Sequence, residues 1–176
     1  VYQNPQSRPT SASGALAGLQ ICIQSNLSVR GWPTEAGSNA LKGFVALEDA
    51  FVVDRLRQQG IHIAGSCRMG ELGFGLRGDT IGSALNEDCD AALVTDTFGE
   101  SRLIASRAGC LGFKPSSGLC SRRGLIGLIP SMETLAVTAK SPECAAALLN
   151  AIFAADPEDF SMPQNEPIPR LSGVPS

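Results

Sequence analysis

The chain has 176 residues, 43% of them hydrophobic, and a formal net charge of −3, which suits one domain with a real hydrophobic core. Its basic residues are scattered, which argues against an electrostatic nucleic-acid binder, and no apolar run approaches the roughly 20 residues needed to span a bilayer. The cysteines at 22, 67, 89, 110, 120 and 144 form no C-x-x-C pair, so zinc-ribbon and thioredoxin-type readings fail on spacing and buried thiols of a reducing compartment are expected.

Residues 1–15 are polar and rich in Ser, Pro and Gln and read as an extended lead-in that packs little. The chain begins at Val1 rather than Met, so a targeting peptide upstream stays open. Leu19 to Ile23 alternates and reads as a strand. Gly31-Trp32-Pro33 and Ala36-Gly37-Ser38 punctuate a long loop. Asp49 is expected to open a helix with apolar Phe51, Val52 and Leu56, which Gly60 stops. Ile61 to Gly65 is then a short strand, and the helix–strand order points to α/β layering. Gly-rich loops run from Gly70 to Gly82. Ala91 to Thr95 reads as a buried strand and Leu111 to Phe113 as another. Pro142 starts an amphipathic helix spanning Glu143 to Ala155, ended by Asp156-Pro157. A Pro- and acid-rich connector covers 156–168, and Leu171 to Pro175 looks like the beginning of one more strand.

The order of short phrases resembles the amidase-signature family, and within it the amidase subunit of a glutamyl-tRNA(Gln) amidotransferase. Gly31-Trp32-Pro33-Thr34-Glu35-Ala36-Gly37-Ser38 is similar to G-x-P-T-x-A-G-S. Asp49-Ala50 through Gly60 is similar to D-A-x-V-V-x-R-L-x-x-x-G. Val94-Thr95-Asp96-Thr97 resembles G-T-D-T, and Gly112-Phe113-Lys114-Pro115 resembles G-L-K-P. Ser121-Arg122-Arg123-Gly124-Leu125 resembles S-R-Y-G-L, and Ser131-Met132-Glu133-Thr134 resembles S-x-D-T. The helix after Pro142, ending in Asp156-Pro157, completes the series. Together these phrases are specific. The resemblance implies an α/β fold, a mixed β-sheet flanked by helices, with 16–176 as part of an amidase-signature domain. The family's N-terminal helices and the C-terminal half of its domain have no counterpart here.

That family cleaves amides with a serine nucleophile, a bridging serine and a neutral lysine as base, while backbone N–H groups of a Gly-rich turn stabilise the oxyanion. The resemblance places the lysine on Gln24, the bridging serine on Leu76 and the nucleophile on Glu100. The two serines of the family are separated by the same interval as residues 76 and 100, so no gap is needed. An amide has no basic lone pair at neutral pH, and leucine relays no proton. The oxyanion turn becomes Thr97-Phe98-Gly99, where Phe98 replaces glycine and is expected to fill the space over the donors. Such a triad implies no amide hydrolysis. Ser101 as a displaced nucleophile would lack a lysine and a bridging serine.

Other signals are weaker. Gly73-x-Gly75-x-x-Gly78 matches a dinucleotide fingerprint by letters but lacks the strand before and the helix after it, so structural glycines are expected. Glu87-Asp88-Cys89-Asp90 reads as a solvated acidic turn rather than a metal site. His62, alone of its kind, reads as structural. Glu100 with Glu133 could do acid–base work only if their surroundings separated their pKa values. The sequence therefore implies no cofactor and no metal. It points to a pseudoenzyme serving as a structural or accessory subunit, whose partners are other protein subunits with no direct nucleic-acid contact. Eukaryotic relatives make a mitochondrial or other organellar setting the expectation. The alternatives are an amide-ligand sensor that keeps the pocket, or a segment of a longer amidase-like hydrolase.

Overall fold

The computed structural model describes residues 2–5, 13–74, 89–163 and 167–172. Among them six strands form one mixed sheet: β1 (Tyr2–Gln3), β2 (Gln20–Gln24), β3 (His62–Cys67), β4 (Ala91–Asp96), β5 (Leu111–Phe113) and β6 (Thr134–Ala139). Their order is β1-β3-β2-β4-β6-β5. The central strand β2 runs parallel to both β3 and β4, whereas β1, β6 and β5 pair antiparallel. The helices are α1 (Phe51–Gln58), α2 (Glu100–Arg107) and α3 (Pro142–Ile152). This is the α/β sheet with flanking helices that the sequence implied.

Period-two alternation decides which face each side chain serves. Ile21, Ile23, Leu93, Leu135 and Val137 join the core built with α1 and α3. Cys22, Ala92, Val94 and Ala136 turn to the opposite face, where Ile104 of α2 packs. Strands β4 and β6 are buried at every residue, as expected of strands covered on both faces. Strand β2, read from its alternation, lies between β3 and β4 and is buried from Ile21 to Gln24.

Several boundaries move. Helix α1 begins at Phe51 with Ala50 as its cap, which makes no side-chain bond. Asp49 instead accepts from the backbone of Arg30 at 2.7 Å and from Arg57 at 2.6 Å. Gly60 adopts φ +80 and ends α1 in the left-handed conformation glycine permits. Ser141 caps α3 by accepting from Cys144 N at 3.1 Å, and the helix stops at Ile152, short of Ala155. Asp156 then does more than follow the helix: buried, it accepts from Ser121 Oγ at 2.7 Å and Arg123 Nε at 2.9 Å.

The first residues pack more than a loose lead-in would. Tyr2 and Gln3 pair with Ser66 and Gly65, and the Tyr2 and Trp32 rings lie 4.8 Å apart. Besides β1, the helix α2 and the strand β6 were not expected. Residues 171–172 are irregular, and 173–175, where another strand was expected to begin, lie outside the described residues.

Candidate functional site

Strands β2, β3 and β4 end together, and β6 begins at the same edge because it runs antiparallel to β4. In open α/β sheets the crevice outside the carboxyl ends of the parallel strands collects functional side chains. Gln24 closes β2, Asp96 closes β4, and Glu133 immediately precedes β6. All three are buried.

Gln24 stands where the resemblance puts the lysine. Its Oε1 accepts the backbone N–H of Thr95 at 2.6 Å and the Thr95 hydroxyl at 2.9 Å. Because a backbone N–H can only donate, these bonds fix the carbonyl end of the amide toward Thr95. Asn26 continues the chain of bonds, donating from Nδ2 to Thr95 Oγ1 at 3.2 Å. Gln24 is thus an acceptor locked to the neighbouring strand.

Glu100, at the nucleophile's position, is the first residue of α2 and is buried. Its side chain folds back over the preceding turn, and Oε2 accepts the N–H of Thr97 at 2.9 Å and of Phe98 at 2.8 Å. The third N–H of the turn, from Gly99, donates to Asp96 Oδ1 at 2.8 Å. Carboxylates of the chain itself therefore take all three donors, as suits the positive end of a helix. Gly99 supplies the left-handed step at φ +112. Phe98 does not cover the donors as expected: it is 55% exposed and meets Phe74 edge-on at 5.9 Å. The Glu100 carboxylate occupies that space instead. Leu76 lies outside the described residues, as do Gly75, Gly78, Glu87 and Asp88.

Asp96 organises the turn. It accepts from Ser101 Oγ at 2.7 Å and from both Arg102 Nε and Nη2 at 3.1 Å, with Lys114 Nζ 3.6 Å away. Burial opposes its charge, but the Arg102 and Ser101 bonds outweigh that and hold its carboxyl below the usual range. A carboxylate so committed is a poor base, and Ser101, pinned to it and buried, is no free nucleophile. Lys114 Nζ also donates to the carbonyls of Thr97 at 3.0 Å and Met132 at 3.1 Å, tying the turn to the segment before β6. Burial pushes the Glu133 carboxyl above its ordinary range, although the Leu128 N–H, which reaches Oε2 at 3.1 Å, pulls the other way. Thr95, Asn26, Asp96 and Lys114 are site residues that the sequence did not single out. The T-D-T and G-F-K-P phrases were visible, but nothing in one dimension tells that they meet.

Remaining candidates separate from this cluster. Gly73 has φ +74, a structural demand for glycine. Asp90 accepts the N–H of Gln20 at 2.8 Å. No group of three His, Cys, Asp or Glu fit to hold a metal occurs among the described residues. All the cysteines are free; Cys22, Cys67 and Cys89 meet on one sheet face, and bonds from Cys67 and Cys89, with burial, push the Cys22 thiol well up. Such thiols are inert. His62 opens β3, partly buried. A cavity of about 490 Å³ lies at the ends of β2 and β3, lined by Tyr2, Ser25, Glu35, Ser66, Arg68 and Met69.

Known proteins resemble this chain in sequence and fold. The Amidase family profile matches residues 3–86 and 84–172. The A subunit of a glutamyl-tRNA(Gln) amidotransferase from Haloarcula marismortui is 36% identical over 181 residues, covering 90% of this chain and 43% of its own length. The mitochondrial A subunit from Homo sapiens is 32% identical over 219 residues, covering 99% of this chain and 40% of its own. The solved A subunit from Thermotoga maritima superposes with a TM-score of 0.82 at 22% identity, over 97% of this chain and 42% of that one. The chain spans less than half of each.

Proposed function

The chain belongs to the amidase family, and on that premise we propose that it is a non-catalytic member with a structural or accessory role in a larger protein assembly. One observation carries the reading. The side chain at the nucleophile's position is a carboxylate that closes onto the turn's own N–H groups. An incoming amide carbonyl would meet an acceptor where the family's mechanism needs donors. The lysine position supports the same reading, because Gln24 presents its carbonyl, not a base, to Thr95.

The role within an assembly has its own support. Phe74, Phe98, Leu128 and Met132 are all between 44% and 56% exposed. Phe74 touches Phe98, and Lys114 and Glu133 bridge the segments that carry the others. Exposed apolar side chains gathered on one rim suit a protein cover. The Haloarcula and human relatives are both named as subunits, which favours an assembly, and the human one, named as mitochondrial, is the support for an organellar setting. No helix among the described residues is long and apolar enough to cross a membrane.

The test has two parts. Ammonia release from glutamine, asparagine and simple amides is expected to stay at the uncatalysed rate, and release that vanishes on Glu100→Ala or Ser101→Ala sinks the non-catalytic reading. Gentle isolation of the native protein is expected to bring stoichiometric protein partners; a folded, monodisperse monomer in the native extract sinks the role within an assembly. The cavity beside Ser25 favours one second reading, an amide-ligand sensor, which predicts thermal stabilisation by glutamine or asparagine.

A further inference from the structure

Tyr2, Ser66 and Ile23 are register neighbours on β1, β3 and β2. Residues paired in register share a face of the sheet, and here that face is the one packed with α1 and α3, where Ile23 is core and Tyr2 lies against it. Gln24 pairs with Cys67 one step further on and turns to the opposite face. The cavity of about 490 Å³ at the ends of β2 and β3 therefore takes Tyr2 and Ser66 from the side of the sheet away from Gln24. Ser25, two residues past Ile23, lines it as well.

Its walls hold hydrogen-bonding capacity that the described residues do not use. Ser66 is 5% exposed, and among the described residues its hydroxyl has no partner, nor have those of Tyr2 and Ser25. A nearly buried hydroxyl without a partner is costly, and a ligand that reaches it offsets that cost. Glu35 Oε1 accepts the N–H of Gly43 at 2.7 Å, and its carboxylate makes no ion pair among the described residues. Arg68 adds donors at the exposed lip. Hydroxyls donate and accept, a carboxylate only accepts, and a guanidinium only donates. An anion would therefore meet Glu35 and a cation Arg68, and a neutral ligand avoids both conflicts. The three hydroxyls match a ligand whose own groups both donate and accept. Pro33 and the Tyr2 ring supply the apolar wall, and a few polar groups converging on such a wall suit a small molecule.

We propose that this cavity is a binding site for a neutral polyol of monosaccharide size, held by Tyr2, Ser25, Glu35, Ser66 and Arg68. The ligand's hydroxyls exchange hydrogen bonds with the three side-chain hydroxyls and donate to Glu35, Arg68 donates to a ligand oxygen, and the C–H face rests on Tyr2 and Pro33. The competing occupant is an amino acid, whose two charged ends would engage Glu35 and Arg68, but Arg68 is already engaged within the chain. The site lies across the sheet from Gln24, so the proposal goes beyond the non-catalytic reading and stands independently of it.

Trp32 is the only tryptophan in the chain, and its ring lies 4.8 Å from that of Tyr2, so its emission reports on the cavity. The whole chain is titrated with D-glucose, D-ribose and myo-inositol, and at least one of them is expected to change the emission saturably. Saturation-transfer NMR is expected to show the protons of the same polyol receiving magnetisation from the protein. Thermal shifts are avoided because polyols also stabilise proteins by exclusion from their surface. Ser66→Ala and Tyr2→Phe each remove one hydroxyl and weaken binding about 3–10-fold, whereas Glu143→Gln, exposed on α3, leaves it unchanged. Tyr2→Phe keeps the ring beside Trp32, so it remains informative if Ser66→Ala does not fold. No saturable response to any of the three polyols overturns the proposal. Saturation that both hydroxyl variants leave intact puts the polyol elsewhere and overturns it as well. Saturation by glutamine or asparagine in place of the polyols assigns the cavity to an amino acid, which overturns the proposal and supports the sensor reading.

Discussion

Glu100 Oε2 lies 2.8 Å from the backbone nitrogen of Phe98 and 2.9 Å from that of Thr97, so the first residue of α2 supplies the acceptor for the turn that precedes it. In an amide hydrolase such N–H groups wait for a developing oxyanion. Here the helix closes on itself, and on the proposed non-catalytic reading the turn serves stability in place of catalysis.

That exchange predicts a stability cost. Glu100→Ala strands two N–H groups at the helix N-terminus and is expected to lower stability by about 1–3 kcal/mol. Glu100→Gln keeps an acceptor oxygen and loses less. Urea unfolding of the two variants reads the difference, and equal losses would contradict the hydrogen-bonding role.

Restoring one catalytic residue should not restore catalysis. Glu100→Ser returns a hydroxyl but leaves Gln24 in the base's place, and Gln24→Lys returns a base with no nucleophile. Residues that act as a unit in catalysis give little when supplied singly. Ammonia release by either variant is expected to match the parent, and a clear gain from Glu100→Ser alone would mean that another base operates.

Opposite pH dependences meet at the site. The Glu133 carboxyl is raised, first by burial. A carboxyl whose folded pKa exceeds its unfolded one binds more protons when folded, so its contribution is full at low pH and falls as pH rises from about 4.5 through the folded value. Asp96 is the reverse case: burial opposes its charge, but Arg102 and Ser101 hold its pKa low, so its stabilisation is present above about 3.8 and lost as pH falls through the depressed value. Glu133→Gln is expected to flatten the decline in Tm from pH 5 to pH 8, measured in choline buffer. Asp96→Asn should remove more stability at pH 7 than in acid below about pH 3.8, where the loss shrinks as the pH falls.

Gly112 carries the packing of α2. A side-chain carbon there would stand 2.9 Å from both Ala105 Cβ and Arg102 Cα, closer than backbone and side chain allow. Gly112→Ala is expected to push α2 from the sheet and cost about 1–3 kcal/mol. Because Arg102 also holds Asp96, the variant should lose some of the Asp96-dependent stability at neutral pH, seen as a smaller effect of Asp96→Asn in its background.

Much of the architecture was legible because burial writes itself into composition. The strand at β2, the buried apolar run of β4, the helix start at Pro142 and the stop at Gly60 each follow from local rules. Helix α2 was not legible: its apolar residues, Leu103 to Ala105, are consecutive and make no helical stripe. Strand β6, Thr-Leu-Ala-Val-Thr-Ala, is buried on both faces, and a short run without alternation reads alike as helix or strand.

The sequence by itself determined the chemical types at the site. Amide, carboxylate and phenylalanine stand where the resemblance expects lysine, serine and glycine, and no folding alters what those groups can donate or accept. Only the tertiary structure decided their use. Antiparallel pairing of β6 with β4 carries Glu133 to the edge where β2 ends; the pitch of α2 folds Glu100 back over Thr97 and Phe98; and Gln24 meets Thr95 across 71 positions of chain. Such contacts depend on register and direction in space, which local sequence rules do not encode.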